Sequence, residues 1–539
     1  MWRPFCRVET GVFLLVWLSL LLIGCSAMLR DPGSFWHVAT GQKILASGSV
    51  PQVDPFSFTR ADQPWVADQW LAECAMAAVH RVAGWDGLLL IAATILAATY
   101  AWLAGRLLRG GLHWLPAALL LALALLAGSP QFHVRPLVLT IGLLGATFAV
   151  LVDVDAGRRG CRQLWWLVPL LVFWANVHGG VLAGVGTVGL CAFGWCAAWA
   201  LGKPSPVHHF RDAVGMFLLT ATLPLTLLVN PYGLALPKAL WETLAMPLPS
   251  LIDEHAPLDF ADPVGGATLL LAAMYLIVLL ATLPRWPRVA WLLPLVWFLL
   301  AIQRVRNAPL FALTAAIALA DLLPQSRVAK WLQRRGMFAL GTGPFFGGRP
   351  VLVKSRRAEN MDLSPSAAPS PDTAPSDWRA AVLPLLVVLA AMTIQAAGIS
   401  LPVVGRGWAT FDPARWPVDL LPKLAEINDS SPADTPIFND LNFGGFLIYH
   451  APRLRVFVDD RCSLYGGEFL RAYDHARRDD PAQTDRWQRQ YGFRYALVQS
   501  GGRFDRHLAA AGQWTLVGRT PAAALYQRTS GSIDTDTLE

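Results

Sequence analysis

Asp31, Trp36 and His37 stand in the run Asp31-Pro-Gly-Ser-Phe-Trp36-His37-Val-Ala-Thr-Gly41, a few residues beyond the first apolar stretch of the chain. A carboxylate can take a proton from a hydroxyl and an imidazole can orient or relay one, and both are placed here where a helix leaves a membrane. About 55 residues separate this point from the next apolar run, far more than an ordinary connection needs. The stretch carries Asp54, Trp65, Asp68, Trp70 and Glu73. Long loops on a rigid scaffold are where binding and catalytic residues concentrate.

A second set of polar residues falls at the ends of later apolar runs. His133 and Arg135 lie in Gln131-Phe-His-Val-Arg-Pro136, Asn176 and His178 in Trp174-Ala-Asn-Val-His-Gly-Gly180, and Asn230 and Tyr232 in Asn230-Pro-Tyr-Gly233. Glu254 and His255 follow in Asp253-Glu-His-Ala-Pro257, and Arg304 and Arg306 in Gln303-Arg-Val-Arg-Asn307. Each alone has a structural reading: an interfacial arginine snorkels, a histidine caps, and Asn-Pro-Tyr-Gly makes a good turn. Their convergence on one side of a membrane bundle points instead to a shared site, because charge at membrane depth is costly and marks function.

The elements that must position these residues are transmembrane helices. Hydrophobic residues make up 54% of the chain and charged residues 15%, with 23 Trp, against roughly 25% charged in a soluble domain. Apolar runs near 11–28, 87–105, 114–129, 136–152, 164–177, 180–201, 213–230, 267–284, 288–302, 308–323 and 380–399 predict about eleven spans. Several are nearer 15 than 20 residues, as half-helices or a re-entrant hairpin would be. With the N-terminus in the cytoplasm, the inner loops carry Arg3/Arg7, Arg106/Arg109, Arg158/Arg159/Arg162, Lys203/Arg211 and Arg285/Arg288, and the outer loops lean acidic. The net charge of +7 is therefore a topological signal of a multi-pass membrane protein, not of nucleic-acid binding. Leu22-Ile23-Gly24-Cys25 matches a lipoprotein cleavage box, although a retained first helix is expected.

The division that follows is a bundle over 1–323 with a long first outer loop at 29–86 and a second at 231–266. A cytoplasmic linker at 324–379, basic and then rich in Ser, Pro and Ala, precedes the last span at 380–399. Residues 400–539 alternate helical and strand-like runs and predict an extracytoplasmic α/β domain. Extended segments are expected at Pro436–Phe438, Gly445–Tyr449, Arg455–Val458, Tyr495–Gln499, Thr515–Gly518 and Ala523–Gln527, with helices at Pro417–Ile427, Glu468–Arg478 and Thr484–Gln490. Asp459, Asp460, Arg461 and Tyr465 are its candidate site residues, and a strand-end ion pair is the alternative reading of the first three.

The pattern Asp31…Trp36-His37…Gly41…Gly48-Ser-Val-Pro51…Asp54-Pro-Phe-Ser57…Trp65…Trp70-Leu71, with Trp174…Asn176…His178-Gly179, Asn230-Pro-Tyr-Gly233 and Arg304/Arg306, resembles a group of bacterial membrane proteins similar to the C-type (GT-C) glycosyltransferases. That superfamily includes the protein mannosyltransferases and the lipid A aminoarabinose transferases. The tail, Phe438-Asn-Asp440…Gly444-Gly445…Phe457-Val-Asp459-Asp-Arg461…Tyr465-Gly466, is similar to the same group's outer domain. The resemblance implies a lipid-phosphate sugar donor and an acidic residue after the first helix acting as base or metal ligand, the position of Asp31. Two departures stand out: no second carboxylate adjoins Asp31, and Asp68-Gln69 replaces an expected His-Glu-like pair.

Transfer from a polyprenyl-phosphate sugar needs a base for the acceptor hydroxyl and a cationic clamp for the departing phosphate. Asp31 suits the first role. Arg135, Arg304 and Arg306 suit the second, since guanidinium forks match phosphate oxygens. His37, Asp54, Asp68 and Glu73 are candidates to orient the acceptor or bind a divalent cation. A flippase and a non-catalytic scaffold are the alternatives, the first disfavoured by the lack of an internal repeat.

Overall fold

The computed structural model describes residues 7–245, 253–335 and 379–529. All eleven apolar runs are helical, as they must be where no water satisfies backbone polar groups. Among the described residues eight helices are long and apolar enough to cross a membrane: Trp70–Arg109, Trp114–Gln131, Leu137–Asp155, Val181–Ala200, Phe210–Leu228, Pro263–Leu280, Val305–Gln325 and Arg379–Ala396. Val8–Leu22 and Val289–Gln303 are shorter apolar helices, and Leu167–Val177 is the remaining run. Ala308–Leu322 forms the centre of the bundle, every residue of it buried, with six alanines that let neighbouring helices approach. The linker expected at 324–379 lies outside the described residues beyond Arg335, apart from Arg379 itself.

The long loop between the first two apolar runs is more ordered than its sequence suggests. Gly33–Ser47 is a helix, and the Trp70–Arg109 helix begins inside the loop, with a break at Gly84 (φ 63°, ψ −154°) that separates its first turns from the apolar span. A Cβ on Gly41 would lie 1.9 Å from the Glu73 carbonyl oxygen, so the two helices touch where only glycine fits.

Residues 400–529 hold a five-stranded sheet of β1 (Thr435–Asn439), β2 (Leu454–Val456), β3 (Tyr495–Gln499), β4 (Trp514–Arg519) and β5 (Ala523–Arg528), in the order β2-β1-β3-β5-β4. β1 is parallel to β2 and β3, and β5 is antiparallel to β3 and β4. The segment Gly445–Tyr449, expected to be extended, belongs to the helix Leu441–His450. Its glycines mark close packing: a Cβ on Gly445 would lie 2.1 Å from the Pro32 carbonyl oxygen, and one on Gly444 2.3 Å from that of Val458. The helix is thereby pressed on the turn that precedes Gly33.

Loop and domain share one core. Val456 N donates to Phe56 O (3.0 Å) and Phe58 N to Val456 O (3.1 Å), so the loop lengthens the sheet beside β2. Phe35, Trp36, Phe56, Trp65, Trp416 and Phe446 pack in the same apolar cluster. The opposite end of the bundle holds the basic set, where Arg158 and Arg288 both reach Asp321 and Arg106 reaches Asp153 (2.7 Å).

Candidate active site

Asp31 is fixed by local geometry before any tertiary contact. Its Oδ1 accepts from Gly33 N at 2.7 Å at the mouth of the Gly33–Ser47 helix, which aims Oδ2 at Arg135, whose Nη1 donates at 2.9 Å. The same Nη1 lies 3.6 Å from Glu254 Oε2, and Glu254 Oε1 lies 4.0 Å from Arg306 Nη1. Arg306 Nη1 also donates to His255 Nε2 at 3.0 Å. The result is a chain of alternating charge, Asp31–Arg135–Glu254–Arg306, contributed by segments that follow four different helices.

The C-terminal domain adds a second carboxylate. Asp460 Oδ1 accepts from Trp36 Nε1 at 2.8 Å. A Cβ on Gly33 would lie 2.8 Å from Asp31 Oδ1, 3.1 Å from Asp460 Oδ2 and 3.2 Å from Arg135 Nε, which places the three groups around one glycine.

Electrostatics sort these groups. Burial, then the charge of Asp31, pushes Asp460 up to about 7 in spite of Arg135. Burial would also raise Glu254, but Arg306 and Arg135 outweigh it and hold the carboxyl at about 2. For Arg135, burial is overcome by Asp31, Glu254 and Asp460, and the guanidinium is held above its usual range. Burial and the nearby arginines keep His178 at about 3 and His255 at about 4, both neutral at physiological pH. His178 Nδ1 accepts from Gly180 N (2.8 Å), while Trp174 Nε1 donates to Thr140 Oγ1 (2.9 Å), which leaves the Thr140 hydroxyl to donate to His178 Nδ1 (2.9 Å). The ring proton of His178 therefore sits on Nε2.

Several buried polar atoms around this cluster have no partner: Gln131 Oε1, His133 Nδ1 and His255 Nδ1. Burial lowers His133 as well, so it too is neutral. Arg304 is half-buried and makes no side-chain hydrogen bond or ion pair among the described residues. Orphaned polar atoms near an uncommitted guanidinium are what a polar ligand would satisfy.

The other sequence candidates divide into two groups. His37 Nδ1 lies 3.0 Å from Glu73 Oε1 inside the loop, with His37 Nε2, Thr40 Oγ1, Gln69 Oε1 and Glu73 Oε2 buried and unpartnered. Asp68 faces the Gly179 turn, since a Cβ there would lie 2.9 Å from its Oδ2, and burial raises it to about 6. Both lie within the field of Arg135.

The rest are engaged in holding the scaffold. Asp54 accepts from Phe56 N (3.1 Å), Ser57 N (3.0 Å), the Ser57 hydroxyl and Arg461 Nη1 (2.7 Å). Asp459 takes Arg461 Nε (2.9 Å) and Nη2 (2.7 Å) and Tyr465 Oη (2.9 Å). Asn176 accepts from Trp70 and donates to Val172 O and Val229 O. Asn230 closes its own turn, and Tyr232 Oη donates to Pro51 O (2.9 Å).

Among the described residues no three His, Cys, Asp or Glu side chains are grouped to hold a metal ion. At Asp31 the place of a cation is taken by Arg135 and that of another donor by Gly33 N. The cluster does not fit a divalent ion. Thr140 went unread in the sequence, although a hydroxyl in the first turn of the apolar Leu137–Asp155 helix is a signal of its kind. The pairing of Asp460 with Asp31 had no local signal at all.

No family model matches the chain, and no curated protein sequence matches it. Among solved structures it is similar to ArnT from Cupriavidus metallidurans bound to undecaprenyl phosphate, with 15% identity, 97% of this chain and 98% of that one covered, and a TM-score of 0.48. The apo form of the same ArnT gives 16% identity over 96% and 98%, with a TM-score of 0.45.

Proposed function

We propose that this membrane protein moves a sugar from a polyprenyl-phosphate donor to an acceptor at the outer face of the plasma membrane. The observation that carries the reading is the charge chain Asp31–Arg135–Glu254–Arg306, with Asp460 on one flank and the uncommitted Arg304 on the other. It lies at the end of the bundle remote from the basic set around Asp153 and Asp321, which the positive-inside rule assigns to the cytoplasm.

In this reading Asp31 takes the proton of the acceptor hydroxyl as its oxygen bonds to the anomeric carbon. The bond from that carbon to the phosphate oxygen breaks, and polyprenyl phosphate leaves with the electron pair. Arg304 and Arg306 receive the charge that develops on the leaving phosphate. Arg135 aims the Asp31 carboxylate, and Asp460, which titrates at about 7, is placed to share the proton that Asp31 acquires. His178 Nε2–H and the orphaned His255 Nδ1 are donors for the sugar or phosphate.

Lipid-linked sugars and surface glycans compared between a deletion strain and its parent test the assignment. A polyprenyl-phosphate sugar that accumulates while one glycan loses a residue is the expected result. Unchanged profiles in both fractions would return the chain to the scaffold reading, and a donor stranded at the inner face to the flippase reading.

A further inference from the structure

The carboxyl ends of β1 and β3 open on a cleft that the proposed transfer does not use. β1 ends at Asn439 and its parallel neighbour β3 at Gln499. The chain leaves β1 to form β2 on one side, then crosses through the helices Cys462–Arg478 and Gln483–Tyr491 to form β3 on the other. Such a reversal of strand order leaves a crevice outside the strand ends, which is where open α/β sheets bind ligands. A cavity of about 450 Å³ lies there, lined among others by Asp440, Arg477, Arg478, Gln499 and Arg503. A second of about 230 Å³ adjoins it and shares Asp440, Arg477 and Gln499.

The acidic groups of the cleft are already committed. Asp440 Oδ1 accepts from Tyr473 Oη (2.8 Å) and Oδ2 from Gln499 N (2.6 Å), which ties β1 to β3. Asp479, at the exposed rim, pairs with His475 at 3.1 Å. The cationic groups are in excess. Arg477 (3.3 Å) and Arg478 (2.8 Å) share the single carboxylate of Asp474, and Arg477 Nε is buried without a partner. Arg503 makes no side-chain hydrogen bond or ion pair among the described residues. We propose that this cleft binds a phosphoryl group through Arg477 and Arg503, carried on a body of about the size of a sugar. The planar forks match phosphate oxygens, and the volume is in the range of small-ligand sites, well beyond a bare ion.

The test is calorimetry on the full chain in phosphatidylcholine nanodiscs, with glucose 1-phosphate as a soluble probe and dihexanoyl phosphatidylglycerol as a headgroup probe. Arg306→Ala protein is titrated alongside the wild type, so that binding at the Arg306 cluster is subtracted. Saturable binding of either probe is expected to survive Arg306→Ala and to weaken about tenfold or more in Arg477→Gln/Arg503→Gln. Binding of the soluble probe alone identifies a free phosphate ester as the source, and binding of the headgroup probe alone a lipid. If loss of the Asp474 pair unfolds the double variant, Arg503→Gln by itself serves, because that side chain makes no hydrogen bond or ion pair among the described residues. No saturable binding of either probe to the Arg306→Ala protein, or equal binding to a folded cleft variant, would overturn the proposal.

Discussion

Trp36 and Asp460 lie 424 positions apart and are joined by a 2.8 Å hydrogen bond from the indole Nε1 to Oδ1. That bond makes the C-terminal domain part of the site. Without it Arg135 would face the carboxylates of Asp31 and Glu254 alone. With it a third carboxylate enters the field of Arg135, and burial together with the charge of Asp31 raises the pKa of Asp460.

The first consequence is a pH dependence of stability. Asp460 at about 7 and Asp68 at about 6 both titrate above the ordinary 3.8 of an aspartate, so the native state binds these protons more tightly than the unfolded chain does. The stability they contribute is present below about pH 4 and is lost as pH rises through 6 and 7. Thermal unfolding in nanodiscs between about pH 5 and pH 8 should show a falling midpoint, and Asp460→Asn should flatten the part nearest pH 7. A wild-type midpoint that holds constant over this window would contradict the coupling.

Two glycines separate site geometry from domain docking. Gly33→Ala pushes a methyl against Asp31, Asp460 and Arg135 at 2.8–3.2 Å, side-chain atoms that can give way, so activity should fall with little change in melting. Gly445→Ala meets the Pro32 backbone carbonyl at 2.1 Å, which cannot retreat alone. It should cost roughly 1–3 kcal/mol, read as a lower thermal midpoint. Equal effects of the two variants on stability would show that Gly33 is only a packing residue.

What was legible in the sequence followed from strong local constraints. Bilayer thickness forces long apolar runs, and all eleven are helices; short strand-like runs set between turn residues anticipate all five strands. The Gly33–Ser47 helix was hidden because its first nine residues are buried whatever direction they face, which erases the amphipathic stripe. Gly444-Gly445 between Phe443 and Phe446 reads as extended, and only the close approach to Pro32 and Val458 explains those glycines in a helix. The candidate site was legible as a list of polar residues at span ends. Which of them act together was not, because Asp54 and Arg461 pair across 407 positions and Trp36 and Asp460 across 424, distances that no local pattern reports.

Orientation can be tested without any assay of activity. If the basic end of the bundle faces the cytoplasm, reporter fusions at Ser370 and at the C-terminus should give opposite signals, because the Arg379–Ala396 helix lies between them. Matching signals would remove that helix from the list of spans.

The three arginines should behave differently. Arg304 and Arg306 are offered to a leaving phosphate, so Ala at either should lower turnover about 10²–10³-fold and Lys should lower it less, since charge remains while the fork is lost. Arg304→Ala should leave the thermal midpoint unchanged. Arg135 instead bridges Asp31 and Glu254 with its side chain only 15% exposed. Arg135→Ala strips the partly buried Asp31 of its guanidinium and leaves Glu254 with Arg306 alone, and should lower stability by about 3 kcal/mol as well as activity. Full activity in the Arg304 and Arg306 alanine variants would remove the phosphate clamp from the mechanism.

Asp31→Asn distinguishes a base from a helix-turn residue in one variant. The Asp31 carboxylate accepts from Gly33 N, and an Asn side-chain oxygen can accept the same bond, so a merely structural Asp31 should tolerate the change at a cost of about 1 kcal/mol or less. An amide takes up no proton, so a base should lose roughly 10²–10⁴-fold in rate. The measurement is complementation of the deletion strain, with membrane level and thermal midpoint followed in parallel. Asp460→Asn belongs beside it. If Asp460 only receives the proton that Asp31 has already taken, its Asn variant should keep most of its turnover and shift the alkaline side of the pH profile, whereas Asp31→Asn should show its large loss at every pH. A folded Asp31→Asn protein that restores the glycan would leave the carboxylate as a cap and dismiss the transfer mechanism built on it.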